Sequence, residues 1–379
     1  MQGHIKIGRV FGIQIGLHYS WLLIALLVTL SLAGYFSVVN SEWGAAVIWT
    51  TAVVTGILFF SSIILHELGH ALVARMRGLP VSSITLFALG GVALIEKEAD
   101  DAATEFWVGI AGPITSVLIS IICLGLALTL GWSPEVEAMQ QQTPVRAALV
   151  WLGYTNIALA FFNMIPGFPL DGGRVLRAVI WWITGDVNRS TKIAARIGQT
   201  VALLFIFSGI FQLFTGGGFN GLWIVLIGWF LLTAAGGSYA QVAIMQTLRG
   251  LSTRDVMRGE MELIDGRLNL RDFVNEYLLK TGTRCFFVVE NNRLKGLITP
   301  HEIKEVPQDE WASVTVGDAM RPLEKLLTVT PQTPLAEAFD AMTRANVNQL
   351  PVVSENRLEG VVSRSNILEI LRTRAELKI

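Results

Sequence analysis

The run GILFFSSIILHELGHALVA, residues 56–74, is apolar enough to lie in a bilayer yet carries His66, Glu67 and His70 in its second half. On a helix, histidines four residues apart project from one face and can offer imidazole nitrogens to one metal ion, while the intervening glutamate stays free to handle protons. A charged side chain at mid-span costs about 2.5–3.5 kcal/mol on insertion scales, so such groups are rare in membrane helices and mark functional sites. Two of the five histidines in the chain flank this one glutamate. The stretch therefore reads as a metal site inside a membrane-spanning helix, not as the chance product of a polar surface helix. A hydrolytic zinc site takes three protein ligands and keeps one position open, so a third ligand must come from elsewhere. His4 lies near the terminus, His18 enters the first apolar stretch and His301 sits in the polar C-terminal part, which leaves the carboxylates.

The 379 residues are 52% hydrophobic and 16% charged, with a mean hydropathy of +0.53. An ordinary soluble domain is about 25% charged. The apolar excess stops near residue 247, which divides the chain into a membrane part, 1–247, and a polar remainder. Spans of about 20 apolar residues are expected at about 17–38, 46–74, 106–131, 145–183 with an interruption, 195–215 and 219–246. The even count puts both termini on one side. Lys6 and Arg9, then Arg75, Arg77 and Lys97, then Arg174, Arg177, Arg189 and Lys192, and finally Arg249 and Arg254 gather on that side, against Glu42, Glu135, Glu137 and a lone Arg146 on the other. Positive loops stay cytoplasmic, so both ends are expected in the cytoplasm of a cell carrying this chain in its plasma or inner membrane. The first stretch is too long for the core of a cleaved signal peptide. A net charge of −1 gives no footprint for nucleic acid, and Cys123 and Cys285 form neither a disulfide framework nor a Cys-x-x-Cys metal pair.

Two interruptions bear on the site. In Asn163-Met-Ile-Pro-Gly-Phe-Pro-Leu-Asp-Gly-Gly-Arg174, Pro166 and Pro169 break the helix, and Gly172 and Gly173 permit tight turns. Broken helices at membrane depth are tolerated where they line a cavity. Asp171 is either the missing ligand or a cap for the helix that resumes at Arg174. His66 and His70 lie nine and five residues before Arg75, about 8–14 Å inside the cytoplasmic border at 1.5 Å per residue, and Asp171 lies near the same border. Between spans two and three, Ser82–Glu96 (SSITLFALGGVALIE) reads as a β-hairpin turning at Gly90-Gly91. A free strand edge in lipid is not tolerated, so it must lie against protein or at the interface. It is either a packed loop or an edge that pairs with an extended peptide.

From Ser252 the chain repeats itself. Thr253-Arg-Asp-Val-Met257 recurs as Val316-Gly-Asp-Ala-Met320, and Asn292-Arg-Leu-Lys-Gly-Leu-Ile-Thr299 as Asn356-Arg-Leu-Glu-Gly-Val-Val-Ser363. A period of about 63 residues with alternating strand and helix patterns argues for two packed copies of one α/β unit.

The HELGH helix, the Asn163–Arg174 segment and Gly109-Ile-Ala-Gly-Pro113 together resemble the site-2 protease family of intramembrane zinc metalloproteases, peptidase family M50. The resemblance covers residues 1–247. It implies one catalytic zinc ion bound by His66, His70 and Asp171, with Glu67 as the catalytic base and Asn163 holding the substrate backbone or the oxyanion. The substrate it implies is a membrane-spanning protein cut in or next to its span, in the manner of regulated intramembrane proteolysis. The C-terminal copies resemble a tandem CBS pair, 252–310 and 313–375, a module that in many proteins binds adenine nucleotides and often dimerises. Where nucleotide-binding copies place an Asp three residues after the Ser or Thr, this chain has Glu302 after Thr299 and Asn366 after Ser363, so a ligand-free homodimerising or docking platform stands beside a nucleotide site. The fold expected is thus a polytopic α-helical membrane protein of about six spans with a membrane-associated hairpin, plus a soluble α/β CBS module. A CBS-regulated transporter or channel is the rival from another class; it would need neither a glutamate between two histidines nor a broken helix ending in Asp171. A non-catalytic scaffold would not require all four residues.

Overall fold

A computed structural model describes residues 4–87, 90–95, 99–133, 143–216, 218–248, 250–258, 262–281, 283, 285–290, 293–345, 347–354 and 357–377. Glu96, Lys97, Glu135, Glu137, Arg249, Asn292 and Asn356, which entered the reading of hairpin, charge and repeat, lie outside the described residues. The chain divides into two units, Met1–Val242 and Ala243–Ile379.

Among the described residues, six helices that begin in the first unit are long and apolar enough to cross a membrane. They are α1 (Ser20–Val39), α2 (Ala45–Met76), α3 (Ala102–Thr129), α4 (Pro144–Asn163), α6 (Val187–Phe214) and α7 (Gly218–Thr247), with a shorter α5 (Asp171–Thr184) between α4 and α6. Their ends are chemically set. Asp101 caps α3 by accepting from the Thr104 amide at 2.9 Å, Pro144 opens α4, and Asp186 caps α6 by accepting from the Asn188 amide at 2.9 Å. Gly185 ends α5 at φ 68°, the left-handed conformation that glycine adopts without a Cβ penalty.

The stretch expected as one interrupted span over 145–183 is two helices. Of the two, α4 alone is long and apolar enough to cross, and the proline-containing link turns the chain so that α5 packs on α3. The first turn of α5 packs on the link with no room for side chains at Gly172 and Gly173. A Cβ on Gly172 would lie 2.5 Å from the Ile165 carbonyl oxygen, and one on Gly173 would lie 2.6 Å from that of Gly167.

Four strands form one sheet in the order β1 (His4–Val10), β2 (Ile13–His18), β3 (Val81–Phe87) and β4 (Gly90–Ile95). Residues 4–18 were not expected to be strands, and the first span was expected to start at about 17. In fact β2 takes Leu17 and His18, α1 starts at Ser20, and β2 pairs in parallel with β3 through Ile15↔Ile84. Phe11 and Gly12, at φ 50° and 78°, form the turn of the β1–β2 hairpin, the two positive values that a type I′ turn needs. The Arg75 guanidinium donates to the Phe11 carbonyl. Ile13 and Ile84 are buried against Leu68 and Ala71 of α2, so the sheet lies on the helix that carries the histidines.

The turn of the second hairpin also differs from expectation. Gly90 and Gly91 pair as strand residues with Phe87 and Leu86. They are glycines for other reasons: Gly90 sits at φ 136°, and Gly91 is pressed against Glu67, as described below.

The second unit holds a four-stranded sheet, β5 (Leu263–Asp265), β6 (Phe286–Glu290), β7 (Arg293–Ile298) and β8 (Arg321–Pro322), and the pair β9 (Gln349–Ser354) and β10 (Arg357–Ser363). The repeats exchange their leading segments. Leu248 and Val256 are buried with Leu335, Met342, Val352 and Ile367 of the second copy, and the Arg258 amide donates to Val361 at 3.0 Å. Reciprocally, Val316 is buried with Ile264, Phe273 and Phe286 of the first copy, and its amide donates to Leu268 at 2.8 Å. Each copy's core is thus completed by a segment that precedes or opens the other copy.

Candidate metal centre

α2 places His66 and His70 on one buried face, with side chains 4% and 5% exposed. The link after α4 delivers Asp171 as the first residue of α5. Asp171 Oδ2 lies 3.2 Å from His66 Nε2 and 3.2 Å from His70 Nε2, and the two nitrogens are 3.3 Å apart. Asp171 is not the cap of α5: the N-cap is Leu170, and the carboxylate turns to the histidines.

The far sides of both rings are held by α3. His70 Nδ1 is 2.6 Å from the Val108 carbonyl oxygen, which can only accept, so Nδ1 carries a proton and, in the neutral imidazole, Nε2 presents a bare lone pair. His66 Nδ1 is 2.9 Å from Ser116 Oγ. This is the outer shell that orients metal-ligating imidazoles. Two imidazole nitrogens and a carboxylate oxygen then face one point, which is stable when a cation lies there. Ligand distances of about 2.0 Å in a tetrahedron put neighbouring donors about 3.3 Å apart, and the observed edges of 3.2, 3.2 and 3.3 Å match. The donor set thus fits zinc. Among the described residues, no other group of three or more His, Cys, Asp or Glu has this arrangement.

Glu67 and Asn163, the last residue of α4, border the same cavity as His66 and Asp171. The cavity holds about 770 Å³ and is otherwise walled mainly by apolar side chains, among them Trp21, Phe59, Phe162 and Phe230. β4 lies directly on Glu67: a Cβ on Gly91 would stand 3.0 Å from Glu67 Oε1 and 2.9 Å from its Cδ.

The sequence reading did not single out Glu105, Val108 or Ser116. Glu105 is fully buried and holds Arg174 Nε at 3.1 Å and Arg177 Nη2 at 2.7 Å. Its signal was available, as the only charged residue between Thr104 and Gly131. The two arginines counted as loop charges are therefore partners of this carboxylate.

Gly112 of α3 supplies the space for the imidazoles, since a Cβ there would come 2.6 Å from His66 Nε2 and closer still to His70 Nε2. Gly112→Ala should abolish stoichiometric zinc binding, whereas Gly125→Ala, on the same helix with open space around it, should leave zinc per chain at the wild-type value. Elemental analysis of the purified proteins checks both.

The family model for peptidase family M50 matches residues 54–147 and 134–206, and that for the CBS domain matches residues 254–309 and 316–373. A protein of Synechocystis sp. is 35% identical over 99% of this chain and 97% of its own length. The zinc metalloprotease MJ0392 of Methanocaldococcus jannaschii is 31% identical over the whole of both chains, 100% of each. Among solved structures, a site-2 protease from Methanocaldococcus jannaschii is 32% identical, covers 62% of this chain and 95% of its own, and superposes with a TM-score of 0.42. Full-length identity to these relatives and the matched family motifs agree: this chain is a multi-pass membrane protein that belongs to peptidase family M50 and carries a tandem pair of CBS domains.

Proposed function

We propose that this chain hydrolyses a peptide bond in or next to a membrane-spanning segment of a protein substrate, with His66, His70 and Asp171 holding one zinc ion and Glu67 serving as general base. The observation that carries the reading is the triangle of two imidazole nitrogens and one carboxylate oxygen at the edge of an apolar cavity inside the helix bundle. Zinc bound there supplies Lewis acidity, bringing the pKa of water to about 7 and polarising a carbonyl oxygen. Glu67 takes a proton from water and returns it to the leaving amine. Asn163, at the cavity wall, donates its amide to the oxyanion, a contribution of about 10²–10³ in rate at other acyl-transfer sites.

A helical substrate hides its carbonyls in its own hydrogen bonds, so the segment to be cut unwinds first. β4 is an edge strand of its sheet and lies on Glu67, which supports its holding that segment extended by strand pairing. The positive ends of α2 and α6 (Arg75 and Arg77, Arg189 and Lys192) favour a cytoplasmic site and cytoplasmic termini in a plasma or inner membrane. The CBS pair serves as a cytoplasmic docking and homodimerising platform. Both Glu302 oxygens are already engaged, one capping its helix at the Thr299 amide (3.1 Å), the other bound to Arg321 (3.0 Å), and Asn366 is bonded to Ser363.

Four outcomes test these assignments in the detergent-purified chain. Glu67→Gln should lower cleavage of single-span substrates by about 10²–10⁴ while bound zinc stays at the wild-type level, and Asp171→Ala should lose zinc and cleavage together; cleavage undiminished in Glu67→Gln would remove the protease reading and bring transport forward. Gly91→Val, which drives a side chain into Glu67, should impair cleavage with zinc content unchanged, and wild-type turnover would show that the approach of β4 to Glu67 plays no part. AMP or ATP should leave the melting temperature unchanged, a rise of several degrees being the contrary result.

A further inference from the structure

Glu105, Val108, Gly112 and Ser116 fall three or four residues apart and so share one face of α3. Three of them address the histidines directly: the Val108 carbonyl accepts from His70, Gly112 leaves room for both rings, and Ser116 meets His66. Glu105, at the head of the same face, addresses α5 instead. Its Oε1 receives Arg174 Nε at 3.1 Å and Arg177 Nη2 at 2.7 Å. Arg174 and Arg177 are one turn apart, and Asp171 is one turn before Arg174, so all three share a face of α5. The helices touch closely here: a Cβ on Gly109 would lie 3.1 Å from Arg174 Cβ and 3.3 Å from the Val175 amide nitrogen. α5 is also held by the link and by α6, but the two ion pairs to Glu105 are the charged contacts that tie its Asp171-bearing face to α3.

We propose that Glu105 is a positioning residue for Asp171: by holding Arg174 and Arg177 it sets the register of α5 on α3, and hence the point at which the Asp171 carboxylate meets His66 and His70. The inference rests on the reading of Asp171 as a zinc ligand. α3 then orients all three ligands, two through their rings and the third through α5.

The test uses the full-length protein in detergent and measures two quantities for wild type, Asp171→Ala, Glu105→Gln and Glu105→Asp: the melting temperature of the zinc-free form, and the zinc dissociation constant by chelator competition well below that temperature. A role confined to gluing two helices lowers the first and leaves the second alone. Positioning predicts that folded Glu105→Gln binds zinc about 10–100-fold more weakly, with part of the affinity recovered in Glu105→Asp, which keeps the charge on a shorter arm. The visible absorption of the cobalt-substituted protein should weaken in the same order. Wild-type zinc affinity in both Glu105 variants would overturn the proposal, as would failure of both to fold, which would mark Glu105 as structural. If wild type binds zinc and Asp171→Ala does not, the metal assignment stands whatever Glu105 does; if wild type binds none, both fall.

Discussion

Two imidazole nitrogens and a carboxylate oxygen converge on one point inside a bundle of apolar helices, and the rest of the membrane unit can be understood from that crowding. A neutral His70 with its proton on the nitrogen facing Val108 turns a lone pair toward Asp171. With His66 protonated toward Ser116 in the same way, three lone-pair donors about 3.2 Å apart in a medium that screens poorly repel one another unless a cation sits among them. The fold therefore has to hold them in place, and it does so from one helix. α3 touches each element that contributes a ligand, and its small residues let it come close. Gly109 admits α5, and Gly112 admits the rings.

Access follows from the same arrangement. The break after Asn163 does two things at once: it swings Asp171 toward the histidines, and it leaves a cavity of about 770 Å³ into which Glu67, Asn163 and the start of β4 open. Non-helical backbone here is tolerated because it lies against protein: Gly172 meets the Met164 and Ile165 carbonyls, and Gly173 and Gly198 bring backbone against backbone at Gly167 and Phe168. The sheet packed on α2 brings Gly91 against Glu67, so this carboxylate has a strand edge on one flank and shares its cavity with His66 and Asp171.

Much of this was legible in the sequence because it is local. A histidine pair in an apolar helix, an aspartate behind two prolines and a duplicated polar module each show in a short window; the structure brings the first two together, and the third matches the CBS model twice. What escaped depended on partners far along the chain. The alternation in Ile13, Ile15 and Leu17 is a strand signal, but it runs straight into an apolar stretch and reads as the start of a span. Gly90-Gly91 looks like a turn by composition, yet Gly91 is required by the approach of Glu67, which no local pattern reports. Glu105 is a lone charge until Arg174 and Arg177 arrive from 69 residues away or more. The exchange of leading segments between the CBS copies is invisible for a similar reason: two near-equal repeats give the same pattern whichever core each segment enters.

X-ray absorption at the zinc edge of the purified chain shows whether these three side chains form the inner shell of one zinc ion. Two imidazole nitrogens and carboxylate oxygen are expected at about 2.0–2.2 Å, with the shell altered and zinc weakened in Asp171→Ala. A shell containing sulfur, an unchanged spectrum in Asp171→Ala, or a chain that binds no zinc would contradict this assignment.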